Sequence, residues 1–86
     1  MYPEAAFNKA KTKASKVGVT VKRSTEKGKK LDVIKNGKKM FAIGDSNYED
    51  FNQHGDQQRR KNYRTRHAKN ISKTGSRGYF AAKILW

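Results

Sequence analysis

The pair Asn36-Gly37 constrains the fold of this chain more than any other feature, because it fixes a tight turn between two strands. Asparagine and glycine tolerate positive φ at both central positions of a type I′ turn, which connects β-hairpins with two-residue loops. The flanking residues 31–35 and 38–43 are therefore predicted to form antiparallel strands. The predicted pairs are Lys35 with Lys38, Val33 with Met40, and Leu31 with Ala42.

A third strand and an N-terminal helix are predicted before the hairpin. Residues 19–23 alternate apolar and polar side chains as a half-buried strand does, and residues 26–29 connect them to the hairpin in an antiparallel meander. Further upstream, Pro3 suits the first position of a helix, and apolar residues recur at steps of three and four as far as Val17. Gly18 is then the predicted left-handed end of that helix.

A loop and an arginine-rich helix are predicted after the hairpin. Residues 44–56 are rich in Gly, Asp, Asn and Ser and indicate a structured loop, which ends at Asp56 as a helix N-cap. Residues 57–69 contain no Gly or Pro and favour a helix. Cations surround nearly its whole circumference: Arg59, Arg60, Lys61, Arg64, Arg66 and Lys69. Such a helix has no apolar face to bury, so we expect it to be held by an acidic partner, by packing of Tyr63, or only weakly.

The C-terminal residues 78–86 are strongly apolar and predict a short helix that must be covered. We expect it to dock on the chain's own sheet, and the alternative is assembly with another copy through Ile84, Leu85 and Trp86. The predicted fold class is α+β, with an N-terminal helix, a three-stranded antiparallel β-meander, an Arg-rich helix and a short apolar C-terminal helix. The expected core anchors are Phe7, Phe41, Phe51, Phe80 and Trp86.

The net charge of +14 arises from 21 basic and 7 acidic residues and is divided unevenly. A basic arm in residues 1–30 carries +7, the hairpin and loop in 31–56 carry −2, and the basic helix with the apolar C-terminus in 57–86 carries +9. The 86 residues suit a single small basic domain. The positive field of such a surface favours binding to a polyanion, and nucleic acid is the commonest one. Each cation that neutralises a phosphate releases a condensed counterion and so adds affinity. A solvated basic surface without a partner is the alternative.

Cations and aromatic residues alternate in residues 59–67. Arginine forks match phosphate oxygens, and a tyrosine among them can stack on a base or pack beneath them. We therefore expect contacts to the nucleic-acid backbone with little sequence preference. The predicted nucleic-acid-binding residues are Arg59, Arg60, Lys61, Tyr63, Arg64, Arg66 and His67, with a second patch of Lys9, Lys11, Lys13 and Lys16.

Several other function classes find little support in the sequence. It contains no cysteine, which excludes disulfides, thiolate zinc sites and thiol catalysis. It has no membrane-length apolar run and no apolar secretory signal, so we expect no membrane partner and an intracellular or intravirion location. His54, Asp56 and His67 could hold a metal in a nuclease, but a helix cap and a loop hydrogen bond explain Asp56 and His54. We expect a protein that is not an enzyme and has no cofactor or metal.

The second half of the chain carries an ordered set of residues: Ile43-Gly44, Tyr48-Glu49-Asp50-Phe51, His54, Asp56, Arg59-Arg60, Tyr63, Arg66-His67 and Leu85-Trp86. In order and spacing this set resembles a family of short basic proteins of uncharacterised function, encoded by large DNA viruses that include those of algae and amoebae. The resemblance covers about residues 31–86. The chain departs from the family pattern at Ile43, where an aromatic residue is usual.

The resemblance implies a viral protein carried in the particle, found in the virion and inside the infected host cell. It also implies that Asp50, His54 and Asp56 form a structural polar network, which fixes the loop against the helix and orients the outward arginines. The predicted function is that of a non-enzymatic virion-associated protein that binds the phosphates of the viral genome. The alternative is a minor capsid or cement protein that docks on acidic capsid proteins.

Overall fold

The computed structural model describes residues 2–86, which fold into a three-stranded sheet flanked by helices. In chain order the elements are α1 (Glu4–Lys16), β1 (Thr20–Arg23), β2 (Lys29–Lys35), β3 (Lys38–Asp45), α2 (Phe51–His54), α3 (Gln57–Arg66), α4 (Ala68–Ile71) and α5 (Arg77–Leu85). The predicted α+β fold is confirmed. Within residues 2–86 no helix has the length and apolar character that crossing a membrane requires.

Helix α1 presents a stripe of alanines to the rest of the molecule. Ala6, Ala10 and Ala14 follow one another at steps of four and are at most 2% exposed. Their small side chains let α1 lie close against β1, α2 and α5. The helix ends as predicted before Gly18, whose φ of +78° is a conformation that glycine adopts readily.

The sheet is the predicted antiparallel meander, with the strands in the order β1-β2-β3. Asn36 and Gly37 have φ values of 53° and 77°, as a type I′ turn requires. Lys35 pairs with Lys38 across the turn, so the predicted position of the hairpin is confirmed.

Beyond the turn, the predicted register of the hairpin is wrong. The ladder shifts by one residue, and the observed pairs are Val33 with Phe41 and Leu31 with Ile43. A β-bulge of this kind sets two residues of one strand against one of the other. The shift leaves Met40 39% exposed and brings Ile43 into the core at 1% exposure. Burial of the larger aliphatic side chain is therefore the physical reason for the departure.

The core is aliphatic, whereas the sequence had indicated aromatic anchors. Its most deeply buried apolar side chains are Leu31, Val33, Ile43, Ile84 and Leu85, each at most 1% exposed. Of the predicted anchors only Phe80 is buried, while Phe7, Phe41, Phe51 and Trp86 are partly exposed. Phe7, Phe41 and Trp86 pack against the edge of the core. Three of the four partly exposed rings have a guanidinium over them: Arg23 lies over Phe7, Arg60 over Phe51 and Arg77 over Phe41.

Helix α5 covers the sheet, as expected for the apolar C-terminal segment. It packs on β3 and α1, and its Ile84 and Leu85 are buried there. Gly44 permits this approach, because a Cβ at that position would lie 3.0 Å from Leu85 Cδ1. Of the three residues considered for assembly with another copy, only Trp86 therefore keeps exposed surface.

Two short helices differ from the prediction. Helix α2 falls inside the expected loop of residues 44–56 and begins after Asp50. The Asp50 carboxylate accepts from Gln53 N at 3.3 Å, and Gln53 Oε1 accepts from Asp50 N at 3.1 Å, which completes a capping box. The predicted helix of residues 57–69 stops at Arg66, and α4 follows after His67.

Candidate functional site

The start of α3 is fixed by the residues that connect it to α2. Asp56 caps the helix as predicted, because its Oδ1 accepts from Gln58 N at 2.9 Å and from Arg59 N at 3.2 Å. His54 Nδ1 accepts from Asp56 N at 2.9 Å. Gly55 makes the turn between the helices with a φ of +65°. The first turn of α3 therefore has a defined position relative to α2.

Tyr63 holds the rest of α3 against the molecule. Its ring stacks on Trp86 with centroids 4.4 Å apart and an interplanar angle of 5°. The ring centroids of His67 and Tyr63 lie 4.3 Å apart, and those of Trp86 and His54 lie 5.3 Å apart. Burial raises the pKa of the Tyr63 hydroxyl, against an opposing effect of Arg66. Tyr63 is therefore packed against the molecule, which is one of the ways in which this polar helix was expected to be held.

The cations of α3 divide between two sides of the helix. Each residue turns an α-helix by about 100°, so Arg60 and Arg64 share one side while Arg59 and Arg66 share another. The guanidinium of Arg60 lies 4.7 Å from the centre of the Phe51 ring, and Lys13 Nζ of α1 lies 5.4 Å from the same centre. Phe51 thus brings a cation of α1 and a cation of α3 together.

Lys13 is held in this position by α2. Its Nζ donates to Asn52 Oδ1 at 2.6 Å, and the buried Asn52 in turn donates to Ile84 O at 2.9 Å. Burial lowers the pKa of Lys13, and so do the nearby charges of Arg60, Arg64 and Lys9, while Asp50 acts in the opposite direction. The ammonium is therefore fixed among like charges.

We call Lys9, Lys13, Arg60 and Arg64 the α1–α3 basic face. The two predicted patches are therefore joined at Phe51 of α2, where cations of α1 and α3 converge. Arg64 also donates through Nη2 to Trp86 O at 3.1 Å, and burial followed by repulsion from Arg60 lowers its pKa. Lys61 extends the face, since it lines a shallow groove of about 360 Å³ together with Arg60 and Arg64.

The remaining predicted contacts, apart from Lys16, lie away from the basic face. Lys11 is on the opposite side of α1 from Lys9, and its Nζ lies 5.5 Å from the centre of the Phe7 ring. Lys16 is exposed in the last turn of α1, seven residues after Lys9 and hence on the same side. Arg59, Arg66 and His67 line a separate cleft of about 430 Å³ on the other side of α3.

The predicted polar network has different partners from those expected. Asp50 is 1% exposed and accepts from Tyr2 Oη at 2.9 Å and from Lys30 Nζ at 3.1 Å. It therefore pairs with a buried lysine and does not orient the arginines of α3. Burial raises the pKa of Tyr2, and the charge of Asp50 adds to that effect. Asp50 and Asp56 both serve as helix caps.

Four parts of this site were not predicted from the sequence: Tyr2, Lys30, Phe51 and Asn52. No local pattern indicated Tyr2 or Lys30, because they lie 48 and 20 residues from Asp50. The spacing of Asp50 and Gln53 was a usable signal for α2, since it matches a capping box. Recognition of α2 would have shown that Phe51 and Asn52 belong to a helix.

The residues considered for a metal-dependent nuclease are not gathered into a metal site. His54 and Asp56 lie at the start of α3, whereas His67 lies after its end and contacts Tyr63. No group of three His, Asp or Glu residues within residues 2–86 is placed to hold a metal ion.

Comparison with known proteins provides a family without an activity. The sequence model of a family of unknown function, DUF5754, matches residues 19–67. This segment covers more than half of the chain and runs from the residue before β1 to the residue after α3. No curated protein and no solved structure matches the chain. The match begins at residue 19, before the stretch 31–86 expected from the resemblance, and ends at residue 67, inside that stretch. Helices α1, α4 and α5 therefore lie outside the match.

Proposed function

Because the chain belongs to DUF5754, a family of unknown function, its role must be inferred from its own surface, and we propose that it binds nucleic-acid phosphates through the α1–α3 basic face. The observation that carries this proposal is the convergence of Lys13 and Arg60 on the ring of Phe51. Two helices thereby present cations close to each other. Burial is the main cause of the lowered pKa of Lys13, and repulsion from Arg60 is the next. Phosphates would relieve that repulsion.

The acidic residues of the described chain leave this face without ion pairs. Between residues 2 and 86 the ion pairs join Lys30 to Asp50 and Lys39 to both Glu26 and Asp32. None of the four cations of the α1–α3 basic face takes part. Its charge is therefore available to an external polyanion, and each phosphate that it neutralises would release condensed counterions.

The expected binding has little sequence preference. Contacts from arginine and lysine to phosphates position a protein on nucleic acid but carry no direct sequence information. Lys13 and Arg60 are also restrained by Phe51 and Asn52, so they are preorganised for the regularly spaced charges of a backbone. The likeness to short basic proteins of large DNA viruses supports a virus particle as the setting, with the viral genome as the nucleic acid.

Binding of the purified, nuclease-treated protein to labelled mixed-sequence DNA across a salt series tests this proposal. We expect affinity to fall linearly with salt on a log–log plot, because counterions are released. The variant Lys13→Gln/Arg60→Gln should lower the slope by about two, or about one for each phosphate contact removed. Lys35→Gln/Lys38→Gln, at the hairpin turn, removes the same charge elsewhere and serves as the control.

Two results would overturn the proposal. One is negligible binding at about 0.15 M salt, near physiological ionic strength, and the other is an equal loss of slope in both double variants. Absence of binding together with a stoichiometric complex with an acidic capsid protein that survives nuclease treatment would favour the structural role in the particle instead. Urea unfolding of both variants establishes that any loss of binding is not a loss of fold.

A further inference from the structure

The cleft on the other side of α3 differs in character from the α1–α3 basic face. It lies between the loop after β3 and the side of α3 that carries Arg59 and Arg66. Except for Ala81, Leu85 and Trp86, all of its lining residues fall within the segment 19–67 that matches the family. Helix α1, which supplies half of the basic face, lies outside that segment.

The two sides of the cleft carry opposite charges. Helix α3 contributes the exposed Arg59 and Arg66, and the end of β3 and the loop after it contribute the exposed Asp45 and Glu49. The ion pairs of the described residues do not join these two sides. A complementary ligand therefore has anionic groups that face α3 and hydrogen-bond donors that face the loop.

The cleft also contains an exposed aromatic ring that does not pack on another ring. Tyr48 is 70% exposed and lines the same cleft as Arg59 and Arg66. It takes part in none of the aromatic pairs formed among residues 2–86. Exposed aromatic rings beside cations are the usual stacking platforms for unpaired bases.

We propose that this cleft holds one unpaired nucleotide of a single strand. The flanking phosphates lie against Arg59 and Arg66, and the base stacks on Tyr48. The amino groups of the base and the hydroxyls of the sugar are donors, and they face Glu49, whose negative charge keeps the phosphates on the α3 side. This inference rests on the proposed function and deepens it, because the basic face holds a backbone while the cleft requires a base outside the stack. Bases of an intact duplex are paired and stacked, so a blunt duplex does not fill the cleft.

Trp86 is the only tryptophan of the chain and lines the cleft, so its fluorescence reports the ligand. We would titrate the protein with a single-stranded tetranucleotide and with a blunt duplex. The tetranucleotide should quench Trp86 saturably, and the duplex should not. Tyr48→Ala should weaken tetranucleotide binding about tenfold, which lies within the range measured for loss of one base–aromatic stack. Met40→Ala, at another exposed apolar residue, should leave it unchanged.

The variants separate the cleft from the basic face. Lys13→Gln/Arg60→Gln should weaken duplex binding but retain the quenching of Trp86 by the tetranucleotide. Two results would overturn the cleft proposal while the proposed function stands, provided that the duplex still binds with the expected salt dependence. In one, the tetranucleotide does not quench Trp86. In the other, the tetranucleotide binds Tyr48→Ala as tightly as it binds the wild type. If the tetranucleotide binds the cleft while the duplex does not bind, the proposed function fails and the cleft survives. Adenosine monophosphate that binds as tightly as the tetranucleotide would show that the ligand is a free nucleotide, contrary to the proposal.

Discussion

The pair formed by Lys30 and Asp50 is central to the molecule at the residue scale. Lys30 is 7% exposed and Asp50 is 1% exposed, and their charged groups lie 3.1 Å apart. Gln53 Oε1 also accepts from Lys30 Nζ at 2.8 Å, and Tyr2 donates to Asp50. The pair thus joins the chain start, β2 and α2, and α2 in turn supports the basic face.

Replacement of Asp50 by asparagine is predicted to destabilise the fold strongly. Asparagine can still cap α2, so the change isolates the loss of charge and leaves the Lys30 ammonium buried without a carboxylate. Removal of one partner from a buried ion pair destabilises by about 3–5 kcal/mol. Urea unfolding would measure this, with Asp45→Asn at the exposed end of β3 as the control. A loss below about 1 kcal/mol, the scale of an exposed pair, would contradict this assignment.

Individual residues were predictable where their role is local. Asp56 was predicted as the cap of α3 because a helix cap is set by the next three residues. The partners of Asp50 were not predictable, because Tyr2 and Lys30 reach it only after the chain has folded. Burial, which decides that the pair is an internal one, has no signature in the sequence around either residue.

The position of helix α3 is fixed by contacts at its start and by one stacked ring, and not by a buried apolar face. Helix α3 has no buried residue, and it is held by the Asp56 cap at its start and by the stacking of Tyr63 on Trp86. Its position, and therefore the position of Arg60 and Arg64, depends on these two contacts.

Truncation of Trp86 should release α3 from the rest of the molecule. Trp86→Ala removes the ring that stacks on Tyr63 and contacts His54, and we expect a loss of about 2 kcal/mol, less than for a fully buried aromatic residue. Trp86→Phe keeps a ring at this position and should recover most of the loss. Urea unfolding and amide exchange in α3 measure the effect. Unchanged exchange in α3 of Trp86→Ala would show that the stack does not hold the helix.

The sequence predicted the elements that have strong local signals. The turn at Asn36 and Gly37 was found because few other residue pairs suit that geometry. The bulge next to Val33 was missed, because burial of Ile43 against α5 decides it. Helix α2 was missed because four residues are too few for a periodic pattern.

The whole molecule combines charges that are far apart in the sequence. Lys13 and Arg60 meet because α2 lies between α1 and α3 and contributes Phe51 to both. The sequence predicted two basic patches but not their union, since that depends on how the helices pack. It also did not show that Asp32 and Asp50 are buried in ion pairs with Lys39 and Lys30, so that neither carboxylate forms an ion pair with the basic face.

The lowered pKa of Lys13 predicts how nucleic-acid binding depends on pH. Burial and the neighbouring cations lower the pKa of Lys13 in the free protein. Its ammonium group therefore loses its proton at a lower pH than an ordinary lysine, whose pKa is 10.5. Phosphates raise the pKa again, so the complex retains a proton that the free protein has lost. Affinity should therefore fall as the pH rises through the pKa of Lys13 in the free protein. Lys13→Arg remains charged and should show a weaker fall at constant salt. Identical pH profiles for the two proteins would contradict this prediction.

The central claim is that α1 and α3 form one phosphate-binding face, and amide chemical shifts during titration with a mixed-sequence duplex test it most directly. We predict that the largest shifts fall in two segments together, residues 9–16 of α1 and 57–66 of α3, and that the turn at Asn36 and Gly37 stays unchanged. Shifts confined to one of these helices, or centred on the hairpin turn, would contradict it.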